Sequence, residues 1–588
     1  MHRFIAALLV ASAAMAPAAG AAPAAQPSSR QAASSSAGAT VRPAPPRLGD
    51  VAFPTSATSP AAQEHFLRGV AALHSFWYDE AADAFRAARE AEPGFALAAW
   101  GEAMTCNHPI WNQVDLECGR RALAALAATP EARAAKAPTA RERGYLAAVE
   151  ALFDHGLEGK AERDAAYERA MADLAATWPD DPEATIFHAL ALQGLVYGHH
   201  VGEERRFGLL MRSAAALEEL FDRAPRHPGV LHYLIHAYDD PVHAPLGLRA
   251  ARIYAEVAPA AHHALHMPSH IFVQLGRWAE AAASNEDAWA ASVAWQERRG
   301  HDLGKRDYHS LSWLVYAYLQ QGKLGAAGEA LERARRSLAA SGGDARIRRG
   351  LAGMEARYRL ETGRWPPASS AAATPQETAD GHGPAVPHQH SADPEHAAHP
   401  DDGSDHATFA AALAALEAGD SERARAVAGE LAGGDVEARV MALEIDALAL
   451  LAEGQEESAL GRLDEAAVLE QTLPPPSGPP GPPKPALELY GDVLLELGLP
   501  EQAGHAYALA LLRTPRRAAS LLGAARAAAA RGDRVEARRH YEELAALWSE
   551  ADPDLPALAE VRAALAPTAE VAAEAFTPPA VQPGDSPR

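Results

Sequence analysis

Residues 69–93 read GVAALHSFWYDEAADAFRAAREAEP. Small residues stand at Gly69, Ala81 and Ala88, a large one at Phe85, and Pro93 closes the run. Small side chains let two helices approach closely, and the large one fills the gap beside them. Proline ends the second helix because it lacks an amide proton and clashes with the preceding turn. The second half of the pattern returns at Gly498, Ala503, Tyr507, Ala510 and Pro515, and again at Gly532, Ala537 and Tyr541. Gly276 with Trp278, Ala281 and Ala288, and Gly322 with Ala327 and Ala334, fit it between those ends. Each hairpin leaves an apolar face that only stacking buries. The periodicity predicts an all-α solenoid of roughly eight to ten helical hairpins.

Composition agrees. Ala, Leu, Glu and Arg dominate and aromatics make up 6% of the chain, which favours helix almost throughout. A net charge of −24 argues against a nucleic-acid partner, because neutralising phosphates needs a basic face. The start, Met1-His2-Arg3 followed by apolar Phe4 to Ala19 and then Ala19-Gly20-Ala21, reads as a cleavable signal peptide and predicts a periplasmic or secreted protein. No later stretch approaches the ~18 apolar residues of a membrane span. The two cysteines, Cys106 and Cys118, read either as a disulfide or as two small buried residues. The expected organisation is a signal peptide over 1–21, a disordered leader over 22–58, and a helical block over 59–365. A disordered His/Pro-rich linker over 366–405, a second block over 406–566 and a loose tail over 567–588 follow. Leu473 to Pro485 (LPPPSGPPGPPKP) reads as a stiff polyproline-like connector.

The repeat resembles that of tetratricopeptide-repeat (TPR) proteins. The segments FWYDEAADAFRAAREAEP, AAWGEAMTCNHPIW, LHYLIHAYDD and HALHMPSHIFVQLGRW are also similar to a group of bacterial TPR proteins with an HMPSH signature, over about residues 60–340. TPR membership implies a concave groove that holds a protein, peptide or other ligand, lined by positions 2, 5, 9, 12 and 13 of each first helix. No catalytic role transfers from the HMPSH group. Phased from Pro225 and Pro259, position 5 is His232 and His266, and position 9 is His236 and His270. Asp239 and Asp240 occupy positions 12 and 13, His263 and His309 occupy position 2, and His243 lies just beyond its helix. His74 and His108 take position 13 of the first two repeats, with Trp100 and Asn107 facing the same groove. The other aromatics, Phe76, Trp77, Tyr78, Trp111, Trp278 and Trp289 among them, read mainly as core.

Two HxxxH pairs one repeat apart are the chemically informative feature. Residues i and i+4 place their Cβ atoms about 5–6 Å apart, so two imidazoles can share one ion. Packed helices lie about 8–10 Å apart, which lets facing histidines converge. Asp239 then completes a shell or orients an imidazole from behind. Such a set suits zinc, copper or nickel, and sequence does not choose between them; Met267 leans slightly towards copper. Pro268 falls inside the second pair and predicts a kink there. A metal-free scaffold gripping a protein or peptide segment is the competing reading, and a metalloenzyme with Asp239 or Asp240 as base is a third. A conventional enzyme is not expected. HxxxH lacks the glutamate of HExxH, and no GxSxG, P-loop or GxGxxG stands in a strand–turn–helix context. The insert GHGPAVPHQHSADPEHAAHPDDGSDH carries His382, His388, His390, His396, His399 and His406, a composition that captures metals loosely.

Overall fold

The computed structural model describes residues 47–197, 201–364, 366 and 404–566. The predicted signal peptide, residues 22–46 of the leader, the tail from 567, and His382, His388, His390, His396 and His399 lie outside the described residues.

The described chain is helical from Pro60 to Leu565, with each helix packed chiefly on the next. Its regular sheet among the described residues is two residues per strand, Asn107–His108 antiparallel to Gln113–Val114. The small–large pattern works as the sequence implies. A Cβ added at Gly69 would lie 2.7 Å from the Phe85 ring, and one added at Gly101 would lie 2.3 Å from it. Phe85 is thus clasped between two backbones sixteen residues away on either side. Tyr507 repeats the arrangement between Gly491 and Gly523, where added Cβ atoms would lie 2.9 and 2.2 Å from its ring.

The first block continues into the second. Helix Ala345–Thr362 packs on helix Ser404–Glu417, and stacking proceeds from there to Leu558–Leu565. The late helices also fold back onto the first block. Trp278 Nε1 donates to the Arg516 carbonyl at 3.0 Å, Trp548 Nε1 to the Gln320 carbonyl at 3.2 Å, and the Asp552 amide to the Gly322 carbonyl at 3.1 Å. Gly276 and Gly322 turn these hairpins in the left-handed region, at φ 61° and 68°. Glycine serves twice here: it takes that backbone freely, and it leaves room for Arg516 and Leu555, whose side chains lie 2.5 and 2.6 Å from where a Cβ would sit. Buried Arg517 ties the two blocks with a bidentate pair to Glu488 (2.7 and 3.0 Å) and bonds to Glu361 (2.6 Å) and Tyr316 Oη (3.1 Å).

The leader expectation is corrected at its end. Residues 47–58 are extended and packed: Phe53 is buried against Phe66, Trp100 and Tyr145, and the Ser56 amide donates to Glu142 at 2.7 Å. Two large apolar side chains, Leu48 and Phe53, are buried in the core and dock this Ala/Pro/Ser-rich stretch. The open cysteine reading closes as well, because Cys106 and Cys118 form a disulfide. It staples the irregular segment between helices Ala96–Met104 and Leu116–Leu126. Loop-closure entropy for a ring of this size amounts to about 3 kcal/mol. Cys118→Ser is expected to lower the urea midpoint accordingly, and a reducing agent to reproduce that shift in the unmodified chain. No helix of the described residues is long and apolar enough to cross a membrane.

Candidate metal centre

Helix Pro228–Ala237 carries His232 and His236 one turn apart and buries every residue. The second HxxxH lies on a broken element. Helix His262–His266 ends at Met267 and helix Pro268–Gln274 begins with the proline at its first position, where the missing amide proton is tolerated. Met267 stays in the right-handed region (φ −52°, ψ −37°), so the break leaves His266 and His270 on one face.

The six groove histidines assemble as two trios: His232, His236 and His263, then His266, His270 and His309. Each comprises positions 5 and 9 of one repeat and position 2 of the next. In the first, His236 Nε2 and His263 Nε2 lie 3.1 and 3.2 Å from His232 Nε2. In the second, His266 Nε2 lies 3.2 Å from His270 Nε2, and the His309 ring stands edge-on to His266 at 4.8 Å between centroids. Five of the six are buried and His309 is the exposed member. The trios adjoin, with His236 and His270 rings 5.9 Å apart and His263 and His266 rings 6.1 Å apart.

Hydrogen bonds behind the rings fix which nitrogen faces inward. His232 Nδ1 donates to the His74 carbonyl at 2.7 Å. His270 Nδ1 donates to Asp239 Oδ2 at 2.7 Å. His266 Nδ1 lies 2.7 Å from Asn285 Oδ1, and Asn285 is held the right way round because its amide nitrogen donates to the Ala281 carbonyl at 2.8 Å. A neutral imidazole has one proton. With that proton spent on Nδ1, His266 and His270 aim two lone pairs at each other across 3.2 Å, a contact that needs a positive charge between them, a proton or a metal ion.

Burial disfavours the protonated form of His232, His236, His263 and His266. It drives His232 down to about 3, partly opposed by its bond to the His74 carbonyl. His236 and His263 are pushed well below the ordinary range by burial and then by neighbouring imidazoles, and His266 by burial and then by His309 and His270. The sign follows. An imidazole with an ordinary pKa near 6.5 when unfolded takes up its proton there before it does in the fold, so native stability is full above pH 6.5 and is lost as pH falls towards the native value. At pH 5 the His232 shift alone amounts to about 2 kcal/mol. Chelator-treated protein is therefore expected to show a melting temperature that falls steadily between pH 7 and pH 4.5.

Aromatic rings cap both trios. Phe76 lies edge-on to His232 at 4.3 Å and near His236 and His263 at 5.9 and 5.6 Å. Trp313 lies 4.8, 4.5 and 5.5 Å from His266, His270 and His309. Phe76, read from sequence as core, is also a wall of the site, and it holds a left-handed backbone at φ 51°, strain of the kind that collects at functional positions.

The other predicted groove residues take different places. Asp239 sits behind His270 as an orienting carboxylate, also accepting from Gln274 Nε2 at 3.1 Å. Asp240 accepts from the Val242 and His243 amides and from His243 Nδ1 at 2.7 Å, closing a turn instead of facing a ligand. His108 Nε2 donates to the Thr105 carbonyl at 2.9 Å, and Asn107 is buried in the short strand beside it. Trp100 stands in the core, fully buried against Tyr145 and Phe187, where the repeat register had placed it on the groove. His406 lies on helix Ser404–Glu417, within 2.6 Å of the Gly481 carbonyl. His74 belongs to a third group with Glu183 and His227. His74 Nε2 and His227 Nε2 donate to the two oxygens of Glu183 at 2.8 and 3.0 Å, and Tyr233 Oη bonds His74 Nδ1 at 3.0 Å. Burial raises the Glu183 carboxyl, but the two imidazoles outweigh it and hold it near 2. This network fixes the residue whose carbonyl orients His232. Glu183, His227 and Tyr233 escaped the sequence reading because they come from different hairpins with no shared spacing.

The polyproline connector also reaches the site. Gln274 Nε2, bonded to Asp239, donates to the Pro476 carbonyl at 2.9 Å, and Gly478 lies so close to Trp313 that a Cβ would fall 2.2 Å from its ring. Arg357 holds the next turn through the Pro480 carbonyl at 2.8 Å.

No protein-family description matches this chain, and no curated protein matches it. Among solved structures, the chain is similar to the human IFIT1 dimer with m7Gppp-AAAA at 12% identity, over 84% of this chain and 92% of that one, with a TM-score of 0.33. It aligns with the yeast Tom70 at 13% identity over 86% and 95% of the two chains, with a TM-score of 0.27. The APC/C hetero-tetramer Cut9-Hcn1 gives 11% identity over 86% and 76%, with a TM-score of 0.32. Scores this low carry no argument about function; the solenoid stands on the chain's own stacked hairpins.

Proposed function

We propose that this chain is an exported helical-repeat binding protein whose groove coordinates a transition metal through His232, His236, His263, His266, His270 and His309. One observation carries the reading: the His266 and His270 lone pairs meet at 3.2 Å with both Nδ1 protons already committed. Imidazole nitrogens oriented from behind by a carboxylate, an amide and a carbonyl form the outer support that metal ligands require. Donors of this type suit copper and zinc. The Cys106–Cys118 disulfide supports the predicted export, since such bonds persist in oxidising compartments.

The competing scaffold reading needs an open groove. Pro476 and Gly478 instead set the chain's own backbone against Gln274 and Trp313, which leaves less of that side open to another protein's peptide. Elemental analysis of untagged protein tests the proposal. Stoichiometric zinc or copper is expected, lost in His266→Ala/His270→Ala and kept when 382–399 is deleted. Metal that disappears only with that deletion would assign binding to the His-rich insert and sink the groove site.

A further inference from the structure

We propose that the two trios form a single dinuclear copper centre that binds one dioxygen molecule between its ions. The inference rests on the metal-binding reading above and deepens it. Three features carry it. First, the ligand sets are equivalent, three imidazoles each, and they adjoin through the His236–His270 and His263–His266 ring pairs at 5.9 and 6.1 Å. Ions a few ångströms apart, about 3.5–4 Å in two-metal sites, share small bridging ligands. Second, three donors leave each ion an open position, and Phe76 and Trp313 line the two trios with apolar surface instead of further ligands.

Third, the charge balance favours univalent copper. The six imidazoles are neutral donors, Asp239 bonds a ligand ring through His270, and the Asp307 carboxylate lies close enough to act on His266. Two divalent ions would bring four positive charges into this buried place, whereas two cuprous ions bring two; unpaired buried charge is costly. Dioxygen then fits without disturbing that balance. Each Cu(I) gives up one electron, O2 becomes a bridging peroxide dianion with its O–O bond retained, and two copper–oxygen bonds form. Two Cu(II) and one O2²⁻ again sum to two positive charges. Release of O2 reverses each step, and no other reductant is consumed.

The test uses the full chain with His382, His388, His390, His396 and His399 replaced by Asn, which removes loose binding. The protein is loaded anaerobically with Cu(I), washed with a weak chelator and exposed to O2. Expected are two copper ions per chain, one O2 taken up per two copper, and a cupric X-ray absorption edge with almost no electron paramagnetic resonance signal, because the bridged spins are coupled. His309→Ala, which alters the exposed member of its trio, is expected to hold one copper and take up no O2. Two copper ions with full, uncoupled resonance signals would overturn the proposal, as would two copper ions without O2 uptake. A single copper per chain overturns the dinuclear claim while leaving metal binding intact. Failure to hold copper or zinc at all removes the metal-binding reading itself.

Discussion

Glu183→Ala is expected to lower the unfolding free energy by about 3–5 kcal/mol, the range for deleting one partner of a buried charged network. The carboxylate is fully buried and accepts from His74 and His227. Without it both imidazoles lose their acceptor inside the fold and a cavity opens beside Phe187, which stacks on His74 at 4.7 Å. Glu183→Gln keeps the shape and one acceptor oxygen, so its cost should stay nearer the 1–3 kcal/mol of a single unsatisfied group. Urea unfolding of both variants separates packing from charge. A second consequence is functional. The His74 carbonyl fixes the tautomer of His232, and disturbing such outer support typically weakens metal affinity 10–100-fold. Metal titration of Glu183→Gln should show that loss even where stability is largely kept.

Arg517→Met is the other large effect. Its guanidinium is buried between Glu488 of the second block and Glu361 and Tyr316 of the first. Removing it leaves Glu488 and Glu361 in a dry interface, where Lys484 still lies 3.0 Å from Glu488. The burden should again be about 3–5 kcal/mol, read as a lowered urea midpoint. Lys323→Ala supplies the contrast. Its bond to Glu550 also joins the two blocks, but Glu550 is 77% exposed, and exposed pairs contribute below about 1 kcal/mol. Equal effects from the two variants would show that burial is not what makes the Arg517 tie strong.

Much of the fold was legible because packing wrote it into short-range spacing. Phe85 needs Gly69 and Gly101 at fixed intervals, and Tyr507 needs Gly491 and Gly523 at the same ones. The six clustered histidines were legible for a related reason: the repeat register puts positions 5, 9 and 2 of successive repeats where their rings meet. Their division into two trios was not. It depends on His263 and His309 crossing to the preceding hairpin, a distance that no intra-helix period encodes. Trp100 shows the limit of register alone, since residues 47–58 cover its side of the array through Phe53. The connector's docking was also hidden. A polyproline composition announces stiffness, whereas its seat depends on the Pro476 carbonyl meeting Gln274 and on Gly478 fitting flat against Trp313.

Anomalous diffraction from crystals soaked in a copper or zinc salt, with data collected at that metal's absorption edge, tests the groove most directly. Density peaks are expected about 2.0–2.1 Å from the Nε2 atoms of His232, His236 and His263, and of His266 and His270 with His309 alongside. Peaks confined to the surface, with the His266 and His270 nitrogens still 3.2 Å apart around a shared proton, would contradict metal binding there.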